Sequence, residues 1–557
     1  MAESGDCCFV KRQTILAGAG IMAAAALLSR ILGWVRDRSI GHYWGSGPHT
    51  EAYWAAFMVP DLLYYILAGG ALGASVIPVF TAYLREGKEE ESWRVANTLA
   101  TVLGSLALVG IALIIAFAPG MVTLAAAGFR KEIGKASEAA MYVRLLAPMV
   151  FFTVLSALFT GILQAHRHFT APAFAWLVYN VGIIVGAVVG GRWFVAQGDV
   201  AGLRIVAMGV VVGAALLVLV QIPALVARGF RYRPSLDLAN PGVREVLGRF
   251  LPYMAGLAFT QICLLWLPSF FGSFFPNGVT SLRYANRLVV LPLGLFGIAI
   301  STAAFPVMAE RLAAGEIGEF RKLFSGSLRA VFFLSVPSTA FLVVLAGPIL
   351  RLLWRSGRFD EAAVSAATFC LLYYAVALIG LSGLQIVNRA FYSLKDVVTP
   401  PVVGAGYTGL IVGLALLLRG SWLQYAAIAL ATSVGVSVGM IVMFELLRRR
   451  LGRIDGREIT LSFVRVVVAS AALAVVTLYV SRFCGHLLQV PITQFTTVAP
   501  NVEGAAGAKA AAPIARVALQ VMVSMGAGMV AYLVVLRLLG APEIESFRSA
   551  VRGVRRR

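Results

Sequence analysis

The sequence predicts an all-α polytopic membrane protein of about 14 transmembrane helices, arranged as two six-helix parallel-repeat lobes plus two C-terminal helices. Three observations lead there. The 557-residue chain is 59% hydrophobic and only 13% charged, with a mean hydropathy of +0.85, whereas soluble domains are about 45–50% apolar and about 25% charged. Apolar runs of about 20 residues, the length that crosses a bilayer, recur from end to end. Two proline-containing segments also repeat at nearly one offset.

Hydropathy places the spans near 14–33, 51–84, 96–118, 141–164, 171–190, 204–227, 249–273, 281–310, 327–347, 365–391, 399–418, 423–446, 460–481 and 513–539. The first opens after "KRQ" with an alanine-rich run. A cleaved leader over 11–28 is the competing reading, but the repeat needs this span. In the second span Pro60 is expected to kink the helix. "IPVFTAYLR" near its end returns as "FPVMAERL" near the end of the eighth, with Pro78 and Pro306 228 residues apart. "LQAHRHFTAPAF" between spans 4 and 5 corresponds to "VNRAFYSLKDVVTPPVV" between spans 10 and 11, with Pro172 and Pro401 229 residues apart. A duplicated unit of six spans keeps both copies in one orientation, which is one known transporter architecture. Spans 13 and 14 stand outside the repeat.

The net charge of +21 sits mainly in short connections and does not call for nucleic acid. Residues 228–249 and 448–457 each carry five arginines, and the chain ends "RGVRRR". By the positive-inside rule these segments are cytoplasmic, and an even number of spans puts both termini there. The expected organisation is a cytoplasmic N-terminus (1–13), an N-lobe (14–230), a C-lobe (247–446), a pair of helices over 460–540 and a basic cytoplasmic tail (541–557). The 489–513 segment reads as an external loop. No insertion has the roughly 50 residues of a soluble catalytic domain. Cys7, Cys8, Cys263, Cys370 and Cys484 show no zinc or disulfide pattern. Walker A, HExxH and nucleophile-elbow motifs are missing from the sequence, and no metal or cofactor is implied.

Charges inside apolar segments are costly and usually face a cavity. Arg30, Arg36 and Asp37 close the first span in "SRILGWVRD". Six residues apart, the two arginines lie about 120° from each other on a continuous helix, unless Gly33 bends it. They either snorkel to the interface or line a cavity, with Asp37 fixing or offsetting Arg36. Glu51 either pairs with a span-1 arginine or is a loop residue. Asp61 follows Pro60. Arg283 and Arg287 stand at i and i+4, with Asn286 beside them; Arg287 is either an interfacial anchor or an interior cation. Acids are scarce in the remaining spans, so a relay of buried carboxylates is poorly supported. An excess of arginine suits phosphate or pyrophosphate, which the planar guanidinium grips with two parallel bonds.

"SRILGWVRD", "TEAYWAAFMVPDLL" and "GALGASVIPVFTAYL" resemble the MurJ (MviN) lipid II flippases of the MOP exporter superfamily. "HRHFTAPAFAWLVYN", "RYANRLVVLPLGLFGIAISTAAFPVMA" and "RAFYSLKDVVTPPV" fit the same pattern in the same order, from about residue 15 to the C-terminus. The resemblance implies fourteen helices in two lobes, a cationic cavity, and a groove for the lipid tail along spans 13 and 14. It implies a flippase, not an enzyme, that moves undecaprenyl-pyrophosphate-linked peptidoglycan precursor outward across the inner membrane by alternating access. Its partners would be lipid II, membrane lipids and the cell-wall synthesis machinery. Arg30, Arg36, Asp37 and Arg287 match family positions, and Glu51 falls where aspartate is usual. The chain departs at "PDLLYY": Tyr64 stands where the family has a functional arginine, and either Tyr64 itself or another cation such as Arg283 would have to compensate. "AGGA" (68–71) lacks the usual acid, and span 7 lacks the acid through which some members bind sodium. The tyrosines leave open a MOP-type flippase for another polyprenyl-linked glycan.

Overall fold

The computed structural model describes residues 3–68, 71–250, 266–452, 454–490 and 513–543, with all their side chains except those of 3–21, 23, 71 and 74. Among the described residues the chain is helical, and the one β-type pairing is an isolated bridge between Ser356 and Phe359. Eleven helices are long and apolar enough to cross a membrane. Of the other expected spans, the first lies within one long helix, the second is broken into three, and 249–273 falls largely outside the described residues. The 489–513 loop and the 541–557 tail also lie almost wholly outside them.

The chain forms two compact units. The first takes in Met1–Pro276 together with the turn Ser356–Phe359, and the second Asn277–Arg355 and Asp360–Arg557. The first unit holds α1 (Glu3–Trp44), α2 (Pro48–Ala56), α3 (Met58–Ala68), α4 (Ala71–Arg85), α5 (Glu89–Ala125), α6 (Lys135–Leu146), α7 (Met149–Ala165), α8 (Thr170–Val189), α9 (Asp199–Leu219), α10 (Ile222–Val226) and α11 (Leu267–Gly272). The second holds α12 (Gly278–Pro292), α13 (Ala299–Ala313), α14 (Ile317–Val344), α15 (Ala346–Trp354), α16 (Glu361–Ser393), α17 (Thr399–Leu418), α18 (Ala426–Leu451), α19 (Gly456–Leu487) and α20 (Ile514–Leu538).

α1 runs unbroken through Gly33, the continuous-helix alternative; one glycine costs a helix only about 1 kcal/mol. The kink expected at Pro60 takes the form of a break within the turn before it, at Phe57, which leaves Pro60 as the third residue of α3; proline lacks the N–H and crowds the carbonyl of the preceding turn. Later in the chain, Pro292 perturbs its helix differently: a π-helical stretch, Leu293–Ile298, follows it directly.

Within the first unit α8 packs against α9 and α1. The α8–α9 crossing is made of glycine: a Cβ on Gly182 would lie 2.7 Å from Gly213 Cα, and one on Gly186 3.0 Å from Gly209 Cα. This is the small-residue packing that lets helix backbones touch in lipid. A polar knot joins α7 to the end of α9. The Gln221 amide donates to Ser156 Oγ (2.7 Å) and accepts from Thr160 (3.1 Å). The turn Ser356–Phe359 is held by Arg358, whose N–H donates to the His42 carbonyl (2.9 Å) and whose guanidinium meets Asp199 (2.6 Å).

In the second unit α16 packs on α18 and α14, and α19 on α14 and α20. α20 is tied by hydrogen bonds that lipid cannot compete for: Tyr532 donates to the Phe333 carbonyl (2.7 Å), and Gln520 to that of Ser481 (2.9 Å).

The duplication reaches down to single hydrogen bonds. α7 ends with Arg167 N–H on Gln164 O, His168 N–H on Leu163 O, and Arg167 at φ +58°. α16 ends with Lys395 N–H on Tyr392 O, Asp396 N–H on Phe391 O, and Lys395 at φ +59°. Both are Schellman caps with a non-glycine residue in the left-handed position, 228 residues apart. Pro172 and Pro401 then open α8 and α17 within their first three residues.

Candidate functional site

α1 carries the first candidates. Arg36 is half-buried and Asp37 only 4% exposed. Neighbours in a helix sequence do not face each other, yet Arg36 folds back onto Asp37. Its Nε and Nη2 both reach Asp37 Oδ1, at 2.8 and 2.7 Å. Nη1 donates to Asn180 Oδ1 on α8 (3.2 Å), and the Asn180 amide in turn donates to Ser29 Oγ (3.2 Å) and the Trp176 carbonyl (3.0 Å). The guanidinium is thus held on two sides. Of its five N–H donors, one on Nη1 and one on Nη2 remain uncommitted among the described residues, a spacing suited to an anionic oxygen pair. Arg30, six residues earlier on α1, is exposed on the protein surface. Arg38 lies over the Trp34 ring, 5.7 Å from its centroid.

Asn180 was not singled out from the sequence. It was findable as an amide inside an otherwise apolar span, where such a group needs partners. Glu51 shows another surprise. It is 1% exposed, and its carboxylate meets Lys135 Nζ at 2.8 Å. Lys135 opens α6 in a stretch, "GFRKEIGKASE", that reads as a solvated turn; the sequence offers no signal for its burial. Its ammonium also meets Glu132 at 2.8 Å and sits 4.4 Å from the Phe129 ring centre.

On α3 the rings of Tyr64 and Tyr65 pack 5.3 Å apart. Both are half-buried, as is Asp61. The "AGGA" glycines Gly69 and Gly70 lie outside the described residues, as does most of the acid-free seventh span. In the second unit Arg283, Asn286 and Arg287 follow one another along α12. Arg287 is exposed, and the other two are intermediate. The opposite face of α12 is buried, with Tyr284 against Trp354 at 5.4 Å. Among the described residues no group of three or more His, Cys, Asp or Glu side chains is placed to hold a metal. The chemistry on offer is anion binding by guanidinium groups, with Arg36 held in place by Asp37 and Asn180.

A family model described as lipid II flippase MurJ matches residues 40–498. The chain is 31% identical over 471 residues to the probable lipid II flippase MurJ of Rhizobium meliloti (strain 1021), covering 83% of this chain and 85% of that protein. It is 30% identical over 444 residues to the probable lipid II flippase MurJ of Bdellovibrio bacteriovorus, covering 79% and 83%. The lipid II flippase MurJ of Burkholderia cenocepacia is 27% identical over 428 residues, covering 76% and 82%. Among solved structures, a lipid II flippase MurJ in an inward closed conformation superposes with a TM-score of 0.74 over 94% of this chain and 99% of that one, at 19% identity. An inward-facing MATE transporter of the MOP superfamily gives 0.63 at 16% identity, over 78% and 99%. At those identities the structural likeness speaks to the fold.

Proposed function

The chain belongs to the lipid II flippase MurJ family, and from that premise we propose that it carries lipid II from the inner to the outer leaflet of the bacterial inner membrane. The cargo is the undecaprenyl-pyrophosphate-linked disaccharide-peptide precursor of peptidoglycan. The protein is a transporter working by alternating access, with both termini in the cytoplasm.

One observation supports the site in particular. Arg36 is a half-buried cation on the membrane-spanning α1, oriented by Asp37 and Asn180, with two N–H donors uncommitted. A pyrophosphate oxygen pair supplies what those donors lack. In this reading Arg30, in the first unit, and Arg287, in the second, are further cations for the cargo, and either Tyr64 or Arg283 answers for the arginine the family carries at position 64. The polyprenyl tail stays in lipid along α19 and α20, the pair of helices within 460–540. Each elementary charge moved across 100 mV exchanges about 2.3 kcal/mol, which lets membrane potential bias the cycle. Residues 14–230 and 247–446 act as the N-lobe and C-lobe. Delivery of lipid II to the outer leaflet serves the cell-wall synthesis machinery.

The test is to deplete a host of its own flippase and supply this gene in trans, scoring growth and lipid II exposed on the outer leaflet. Rescue by wild type is expected. Rescue lost in Arg36→Ala and Arg287→Ala at normal expression supports the arginine assignment. A well-inserted wild type that fails to rescue points to another polyprenyl-linked glycan, the reading that Tyr64 and Tyr65 leave open.

A further inference from the structure

We propose that Lys135 is a positioning residue of this flippase, and that Glu51 works through Lys135 and not by touching the cargo. The inference rests on the flippase reading for its functional readout and on the first unit alone for its geometry.

Glu51 and Lys135 are 1% and 4% exposed, with carboxylate and ammonium 2.8 Å apart. An ammonium has three N–H donors. Those of Lys135 face Glu51, Glu132 at 2.8 Å and the Phe129 ring at 4.4 Å, so the lysine has nothing left for a ligand. Two carboxylates then share one cation, and the trio keeps a net negative charge whose outer member, Glu132, is 42% exposed. An ionised carboxylate only accepts hydrogen bonds. Beside a pyrophosphate it would repel and could donate nothing.

The pair sits where it controls geometry. α2 begins three residues beyond the end of α1, and Thr50 Oγ1 donates back to the Trp44 carbonyl (3.3 Å). α2 is pinned to α6 by three pairings: His49 with Glu138 (2.7 Å), Glu51 with Lys135, and the Tyr53 ring against Tyr142 (5.8 Å). Gly134 at φ +82° ends the preceding turn and sets Lys135 at the first position of α6. Removing the Lys135 charge leaves Glu51 buried and uncompensated; removing the Glu51 charge leaves Lys135 held by Glu132 alone and cuts its tie to α2. Either change disturbs the seating of α2 and with it the end of the helix that presents Arg36.

Complementation in flippase-depleted cells tests this with five variants: Glu51→Gln, Lys135→Met, Lys135→Arg, the exchange Glu51→Lys with Lys135→Glu, and the apolar pair Glu51→Leu with Lys135→Met. Plating efficiency is expected to fall at least tenfold in the first two. It should survive in Lys135→Arg, and return to within a few-fold of wild type in the exchange or the apolar pair. A purely structural role for Glu51 without Lys135 would not give that pairwise rescue. Lys135→Met rescuing as well as wild type overturns the proposal. So does failure of both double variants when the purified proteins melt with wild type, since Glu51 would then be needed in its own right. If both doubles melt low, a melting cycle over the singles and the apolar pair decides: additive losses refute coupling of the two residues. Should wild type neither complement nor bind fluorescent lipid II, the flippase reading falls, while that same melting cycle still reports the pairing.

Discussion

Replacing Gly182 by alanine should loosen the seat of Asn180, and with it the hold on Arg36. A Cβ at position 182 would meet Gly213 Cα at 2.7 Å, Gly213 N at 3.0 Å and Gly209 O at 3.1 Å, where ordinary contact begins near 3.4 Å. All three atoms are backbone, so no side chain can rotate away and α8 must move off α9 by several tenths of an ångström. Overpacking of this kind costs about 1–3 kcal/mol. The intrinsic gain of glycine-to-alanine in a helix, up to about 1 kcal/mol, partly hides that cost. Gly413→Ala on α17 removes the ambiguity. It sits in a membrane-spanning helix with nothing within 4 Å of its Cβ, so it carries the propensity gain and no overlap. The difference between the two variants isolates the overlap at about 1–3 kcal/mol, at least roughly fivefold in the folded population. Apparent melting temperature in detergent at one fixed scan rate reads it: Gly182→Ala should melt below Gly413→Ala. Complementation should fall in the same variant, because the 3.2 Å bond from Arg36 to Asn180 has little slack before it ceases to be one. Equal melting of the two variants would refute the claim that backbone contact between α8 and α9 holds this part of the unit.

Two further outcomes follow from particular contacts. Asn180→Leu keeps the branched shape and removes the acceptor for Arg36 Nη1 and the donor to Ser29. Growth rescue should drop about tenfold while melting changes little, and rescue equal to wild type would remove Asn180 from the site. Asp396 lies between α16 and α17. Partial burial works against its charge, but the Thr399 hydroxyl, the Thr399 and Val398 N–H groups and Arg450 together hold its carboxyl below the ordinary value. A depressed carboxyl stabilises the fold above its unfolded value, near pH 4, and that contribution is lost as pH falls through its folded value. Asp396→Asn should therefore lower the melting temperature at pH 7 and lower it less, relative to wild type, at pH 3; a loss of equal size at both would contradict the charge argument.

What the sequence discloses here depends on how far apart the interacting residues lie. Spans are legible because lipid forces every backbone group to be satisfied within its own helix, so hydropathy alone locates α5, α14 or α16. The duplication is legible because a cap is local: Leu163 to His168 contains all of one Schellman motif, and Phe391 to Asp396 all of its copy. Arg36 stands out because charge in a span is rare. Its orientation does not, since Asn180 is 144 residues away and nothing local says that α8 lies beside α1. Lys135 is the harder case. Its near neighbours Arg130, Lys131 and Glu132 are exposed, and every composition rule makes it another solvated lysine. Only the fold, by closing α6 over α2 across 84 residues, turns it into the counter-charge of Glu51. A reading of such a transporter from sequence is therefore strongest on which charges enter the membrane, and weakest on what holds each of them still. Double variants across Glu51–Lys135 and Arg36–Asn180 address that second question.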